Sequence, residues 1–395
     1  MEISLSRPTD FHALGDRWRA LEARTACSFF QSWTWTGCLA EERFSDPVLL
    51  EASVAGETVA LALFNRRRGL RDTLWLGESG DKTLDSPFIE HNGLLLASDT
   101  PPDVTVACLR AARRAPIDRA HPWLSRRLML SGVDDRTLTA ARRLGAVRLR
   151  RSLPAPFVDL ARMRREGRDY LDGLSANTRY QLRRSDREYA AAGPLTVRRA
   201  ATAAEAHAWL DDLATLHQAT WVRRGAAGAF GNPFFGRFQH RLIDRGFGRG
   251  EIDVLLVSAG ERCVGYLYNF QFRGRVMAYQ SGFAYADLDP HLKPGLTSHH
   301  QVIRFCSGFG RDSYDFLAGD DRYKLSLAGG RTPLHWLEVG SGGSPAAALR
   351  AVFLALRGGD GRLGRRSGGP ERPGVREFYT CLNRGQSSMV KLLMK

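Results

Sequence analysis

The stretch Tyr314-Asp315-Phe316-Leu317-Ala318-Gly319-Asp320-Asp321-Arg322-Tyr323-Lys324-Leu325-Ser326-Leu327 carries the densest set of chemically able side chains in this 395-residue chain. Its pattern predicts a strand over Tyr314 to Leu317, a break at Gly319, and a second strand through Leu325 and Leu327. A connection that only had to turn would need a glycine and a polar residue or two. This one holds three carboxylates (Asp315, Asp320, Asp321), Arg322, Tyr323 and Lys324. Carboxylates accept a proton or hold an amine, and a lysine brings a compact cation. Lys324 stands out because only five of the 57 basic residues are lysines, the rest being arginines.

The elements that must position this stretch follow from the surrounding pattern. Hydrophobic residues make up 43% of the chain and charged residues 25%, as in ordinary globular proteins. The length suffices for two domains with a sizeable core. No apolar run approaches the ~18–20 residues of a membrane span. The first residues lack the basic-then-apolar order of a signal peptide, so the expected location is cytoplasmic. The six cysteines show no metal-binding or disulfide spacing, and neither Cys27 nor Cys306 sits in an activating motif. No metal is expected. The net charge of +15 favours anionic partners such as a phosphorylated cofactor, a nucleotide or tRNA.

Two regions read alike. Val48 to Leu76 and Val254 to Gln280 each predict a three-stranded meander with a Gly-Glu turn and an Arg-Gly turn. Ala55-Gly56-Glu57 in the first returns as Ala259-Gly260-Glu261 in the second. Helical patterns precede both meanders: Phe11 to Ala23 and a helix capped by Ser32 before the first; Arg168 to Ala192, Ala203 to Arg223 and Pro233 to Arg245 before the second. After each meander come a helix and a strand: Asp103 to Arg114 with Leu128 to Leu130, then Leu296 to Phe309 with Tyr314 to Leu317. The expectation is an α/β (α+β) protein of two lobes in tandem, each a mixed, mostly antiparallel sheet flanked by helices. The expected divisions are residues 1–153, 154–340 and a Gly/Arg-rich tail 341–395, with a linker through Pro154-Ala155-Pro156. The tail's composition suggests disorder, apart from short helices at Ala346 to Leu356 and Met389 to Met394.

Further candidates are scattered over the second lobe. Pro294-Gly295-Leu296-Thr297 opens a helix, and its free N–H groups with Lys293 beside them suit an anion. Arg179, Arg183 and Arg187 recur every four residues on one helix face, partly neutralised by Asp186 and Glu188. His217 and Trp221 lie one turn apart, ahead of a Gly-rich loop through Gly225, Gly228 and Gly231. His299 and His300, adjacent on a helix, make a poor metal pair. In the first lobe, Asp85 is placed to face the cleft between lobes.

The order of these pieces resembles the GNAT acyltransferase superfamily, and more closely the branch named after the cellulose-biosynthesis protein CelD, related to the FemAB aminoacyltransferases. The resemblance spans roughly residues 10 to 340. It rests on Tyr170 to Ser175, Asn177 to Arg187, Leu216-His217 with Trp221, Val264 to Tyr268, Gln280 to Phe283, Pro294-Gly295 and Tyr314 to Leu327. It implies transfer of an acyl group from a thioester or ester donor, acyl-CoA first, to an amine on a small molecule or glycan. Splayed central strands would admit the donor arm beside Tyr279 and Gln280, with its pyrophosphate at Gly295, Leu296 and Thr297. The usual Gln/Arg-x-x-Gly-x-Gly/Ala signature is absent. Asp315, Asp320 and Asp321 become base or amine-binding candidates. Lys324 resembles a lysine that supports the transferring carbonyl in Fem-type enzymes. Tyr279 and Tyr323 are proton donors to the leaving thiol. Arg179 and Arg183 would meet donor phosphates or tRNA, and the first lobe would be structural and cofactor-free. Two other readings are an aminoacyl-tRNA-dependent transferase and a non-catalytic partner in polysaccharide or envelope assembly. DNA is not an expected partner.

Overall fold

A computed structural model describes residues 1–69, 72–115, 117, 126–285 and 291–340. The expected tail 341–395, with its two short helices, lies outside the described residues. The first half runs β1 (Glu2–Ser6), α1 (Phe11–Glu22), α2 (Trp33–Arg43), β2 (Pro47–Val54), β3 (Glu57–Arg67), β4 (Thr73–Leu76), β5 (Leu95–Leu96), α3 (Pro102–Arg114), β6 (Arg127–Val133), α4 (Asp135–Arg142) and β7 (Val147–Asp159). α5 (Leu160–Glu166) and α6 (Ala176–Ala190) follow. The second half runs β8 (Leu195–Arg199), α7 (Ala203–Arg223), α8 (Pro233–Gly246), β9 (Ile252–Ala259), β10 (Arg262–Phe272), β11 (Arg275–Phe283), α9 (Pro294–Gly308), β12 (Ser313–Asp315), α10 (Arg322–Leu327) and β13 (Gly330–Val339).

Short polar residues start these helices. Asp10 accepts from the His12 and Ala13 N–H groups, Ser32 from Trp35, Ser175 from Thr178, Thr202 from Glu205 and Asn232 from Phe234. The Arg168 to Ala192 helix is therefore shorter than expected. It begins at Ala176, and Tyr170–Gly173 forms a separate tight turn of 3-10 helix.

One sheet of mixed but mostly antiparallel strands runs through both halves, in the order β1-β2-β3-β4-β6-β13-β7-β12-β11-β10-β9-β8, with β5 beside β3. The order reads the same from either end once β1 is matched with β8, β4 with β11, β6 with β12 and β13 with β7. Among the described strands only β4–β6 and β11–β12 pair in parallel. The last strand of each half has crossed over: β7 pairs with β12 of the second half, and β13 pairs with β6 of the first. β7 and β13 then pair with each other over ten residues and close the seam.

The exchange overturns the expected linker, because Pro154-Ala155-Pro156 lies inside β7, opposite Pro333, Thr332 and Arg331. The prolines fit because their carbonyls act as acceptors. Pro154 and Pro156 take the Gly319 and Phe316 N–H groups at 2.9 Å each. The expected division between residues 153 and 154 thus falls within a strand. The expected second strand through Leu325 and Leu327 is also corrected: Arg322–Leu327 is a short helix. Tyr323 and Lys324 alternate with apolar Leu325 and Leu327, but the buried side chains of this segment are Lys324 and Leu327, three apart, which is helical spacing.

Four clusters of buried apolar side chains cover the sheet. One of them joins the halves: Phe29, Phe30 and Trp35 of the first half interlock with Phe238, Phe270 and Tyr279 of the second. The Phe29 and Phe270 rings lie 4.2 Å apart. No described helix is long and apolar enough to cross a membrane.

Candidate active site

The chemistry-bearing residues gather where β11 and β12 part. They pair over three residues, Arg275↔Ser313, Val276↔Tyr314 and Met277↔Asp315. Beyond Asp315 the chain follows β7, through the Phe316 and Gly319 bonds to the two prolines, while β11 continues beside β10 to Phe283. A wedge opens between them. At its apex β11 carries a bulge. Tyr268 faces Gln280 and Asn269 faces Ala278, so Tyr279 is the extra residue. A bulge re-aims its side chain. The Tyr279 hydroxyl donates to Phe88 O of the first half at 3.3 Å, and burial raises its pKa, so the group stays protonated.

The opposite wall is the Asp315 to Lys324 stretch. Asp315 is 3% exposed. One oxygen accepts the Leu317 N–H at 2.8 Å, and the other lies 3.0 Å from His91 Nε2. Burial opposes its ionisation, but His91, Arg275 and the Leu317 N–H outweigh burial and lower the pKa. Lys324 is buried, with its ammonium donating to Ala318 O at 3.0 Å. Two carboxylates act on it, Glu90 and Asp321. Burial raises the pKa of both, and Lys324 pulls each back down. Gly319 has φ +152, and a Cβ there would sit 3.1 Å from both Lys324 Nζ and Asp321 Oδ2. The glycine break in the sequence is therefore a close approach of backbone to the ammonium. Asp320 is exposed beside it.

Aromatic rings line the inner end. His299 on α9 is buried, its Nδ1 2.9 Å from the Tyr314 hydroxyl and its ring 5.8 Å from that of Tyr323. Desolvation, with Lys324 assisting, lowers its pKa to about 3, so it is neutral. Burial raises the Tyr323 hydroxyl. At the start of α9, the Lys293 N–H donates to Ser185 Oγ at 2.9 Å, and the same oxygen meets Thr297 Oγ1 at 2.8 Å. The N–H groups of Gly295 and Leu296 precede the helix's own hydrogen-bond ladder. A Cβ on Gly295 would lie 3.2 Å from Phe283 and from the Tyr285 hydroxyl.

His217 sits behind β11. Its Nδ1–H donates to Ser281 O at 3.1 Å, and Nε2 accepts the Ala229 N–H at 3.3 Å, which ties down the Gly-rich loop. Burial lowers its pKa to about 4. Trp221 packs on it at 5.8 Å. Cys306 is buried, and burial pushes its thiol up to about 12.

Other candidates lie elsewhere. Asp85 is not in this wedge. Its carboxylate takes the Ser79 and Gly80 N–H groups and the Ser79 hydroxyl, and pairs with buried Arg43 at 3.2 Å. Arg179, Arg183 and Arg187 line a surface depression of about 370 Å³ with Ala176 and Tyr180. Asp186, expected to neutralise that stripe, instead bonds His300 at 2.7 Å and Gln301 at 3.0 Å on α9. Among the described residues no group of three or more His, Cys, Asp or Glu side chains is arranged to hold a metal. Glu90, His91 and Phe88 escaped the sequence reading. The one local signal is backbone: His91 has φ +46, uncommon for a non-glycine residue.

Residues 176–325 match the family described as Acetyltransferase (GNAT) domain. The fold is similar to that of FemX, at 10% identity and a TM-score of 0.57, covering 86% of this chain and 96% of that one. It is also similar to a conserved protein of unknown function from Bacteroides thetaiotaomicron VPI-5482 (9% identity, TM-score 0.52, covering 85% and 99%). A third is L-PGS from Bacillus licheniformis (12% identity, TM-score 0.50, covering 86% and 96%). Among curated proteins none is similar enough in sequence to match.

Proposed function

We propose, from the match of residues 176–325 to the GNAT acetyltransferase domain, that the protein transfers an acyl group from acyl-CoA to an amine on a small molecule or glycan. The observation that carries this reading is the wedge between β11 and β12, with a buried ammonium on one wall and a helix start beside it. The donor's pantetheine arm enters along Tyr279 and Gln280. Its phosphates meet Lys293 and the Gly295, Leu296 and Thr297 end of α9. The amine nitrogen attacks the thioester carbonyl carbon. Lys324 faces the oxyanion that forms. The C–S bond then breaks, and Tyr279 or Tyr323, both kept protonated by burial, gives its proton to the departing thiolate. The amine loses its proton to solvent or to exposed Asp320, while Asp315 holds the wall in place. In this reading none of the groups that touch the donor or the amine comes from the first half.

Titration calorimetry with acetyl-CoA and CoA tests the reading. Saturable binding that weakens in Lys293→Ala and Gly295→Val supports it, and no heat with any acyl-CoA overturns it. A second reading, an aminoacyl-tRNA donor, is favoured by the Arg179, Arg183 and Arg187 stripe left unneutralised by Asp186, beside a Tyr180 that is 57% exposed. Loss of transfer on RNase treatment would select it.

A further inference from the structure

We propose that the first half is part of the catalytic unit: Glu90 and His91 are positioning residues that fix Lys324 and Asp315 across the seam. The proposal rests on the acyl-transfer reading of the wedge, but its observations stand apart from any donor. Three consecutive contacts cross from one short segment. Phe88 O accepts the Tyr279 hydroxyl, Glu90 Oε2 accepts the Ala318 N–H, and His91 Nε2 meets Asp315 Oδ2 at 3.0 Å. The two peptide units that flank the Ala318 Cα are both held, the N–H of one by Glu90 and the carbonyl of the other by the Lys324 ammonium at 3.0 Å. Glu90 therefore anchors the residue whose carbonyl takes the lysine, and its charge also acts on that lysine directly.

The segment is itself rigid. Asn92 donates to Leu76 O and Ser131 O, both at 3.1 Å, and its N–H donates to Gly132 O at 2.9 Å. His91 is held at φ +46, a conformation that persists only where surroundings over-determine it. A burial-only role for Glu90 is unconvincing. A carboxylate 7% exposed is costly to keep unless a partner cation repays it, and an apolar residue would fill the space more cheaply. The groups facing Lys324 are Glu90 from this segment, Asp321 at the start of its own helix and neutral His299 from α9. The groups facing Asp315 are His91, Arg275 and the like-charged Glu90.

The test uses the full chain and reads Lys324 without a substrate. The rate at which Lys324 is acetylated by a water-soluble acylating reagent is followed against pH by peptide mass spectrometry, with Lys82 as internal control. Glu90→Gln keeps the acceptor for Ala318 and removes only the charge. The expected result is a profile displaced to higher rate for Lys324 alone, about tenfold faster acetylation at a fixed pH. A superimposable profile in a folded variant overturns the proposal. Should Glu90→Gln not fold, Glu90→Asp is scored in the same way, with a smaller displacement expected and none overturning it. For His91, Gln supplies a donor to Asp315 and Ala does not. CoA release, or whichever transfer the wild type performs, should survive in His91→Gln and fall at least tenfold in kcat with little change in KM in His91→Ala. Equal loss in both variants overturns the role of His91. Failure of acetyl-CoA to bind the wild type would sink the donor reading and leave the Lys324 profile to decide this one.

Discussion

Each half of the sheet contains one pair of parallel strands that part, β4 from β6 and β11 from β12, and the two openings meet different fates. In the first, β4 ends at Leu76, and the chain itself fills the gap. Asn92 bridges to Val133 and bonds both diverging strands through its side chain. Gly132, at φ +65, lets Ile89 O approach so closely that a Cβ would lie 2.4 Å from it. In the second, β11 runs on to Phe283 with a bulge at Tyr279, and the wall opposite holds Lys324. One repeat has closed its opening with backbone, and the segment that closes it reaches over to brace the other. The two halves thus offer similar frames, and a few residues at each parting decide whether the chain itself fills the gap.

The comparison is broken most directly at Lys324. Lys324→Met is expected to lower turnover by about 10²–10³-fold, while removing a cation from the matching first-half helix, Arg142→Met on α4, leaves steady-state rates unchanged. Equal effects would mean that the two openings are not functionally distinct.

A pH series comes next. His299 and His217, with folded pKa values of about 3 and about 4, both serve the second opening. Both are neutral in the fold but take a proton in the unfolded chain near pH 6.5, so below that pH the unfolded state binds more protons. Stability is complete above about pH 7 and falls as pH drops toward 4, by roughly 3 kcal/mol per histidine. Denaturant midpoints measured from pH 7.5 to 4 check this. His299→Gln should flatten the slope, and an unchanged slope counts against the buried neutral assignment.

Gly319→Ala should cost about 2 kcal/mol of stability, because φ +152 is strained for any side chain and the methyl would press on Lys324 and Asp321. Turnover should fall more than stability alone explains, read as activity at a temperature where the variant is fully folded. The smallest effect is expected at the plug. Asn92→Ala leaves two buried carbonyls without their donor, at about 1–3 kcal/mol, yet donor binding in the second opening should persist. Calorimetric binding and thermal melting, run side by side, separate the two.

Much of the scaffold was legible. The paired meanders, the cap at Ser32, the helix starts at Ala203, Pro233 and Pro294 and the strand at Tyr314 all follow from local patterning. Asp315, Tyr323 and Lys324 stood out as candidates because their own segment is chemically crowded, and Tyr279 through the resemblance alone. Asp85 misled because an acidic residue in a Gly-rich loop reads the same whether it faces a cleft or caps its own turn. Arg43, which claims it, is 42 positions away.

The sequence by itself determined what short-range physics controls: which segments alternate as strands, where polar caps start helices, and that the pattern occurs twice. Tertiary structure alone decided which strand completes which lobe. β7 and β13 could each have paired within its own half, since backbone hydrogen bonds carry no address. The long β7–β13 pairing and the shared aromatic core around Phe29, Trp35, Phe270 and Tyr279 fix the exchange. That exchange also brings Glu90 and His91 against Ala318 and Asp315, more than 220 residues away in sequence. No spacing rule reaches that far, because such contacts arise from the packing of whole elements and not from the pitch of any one of them.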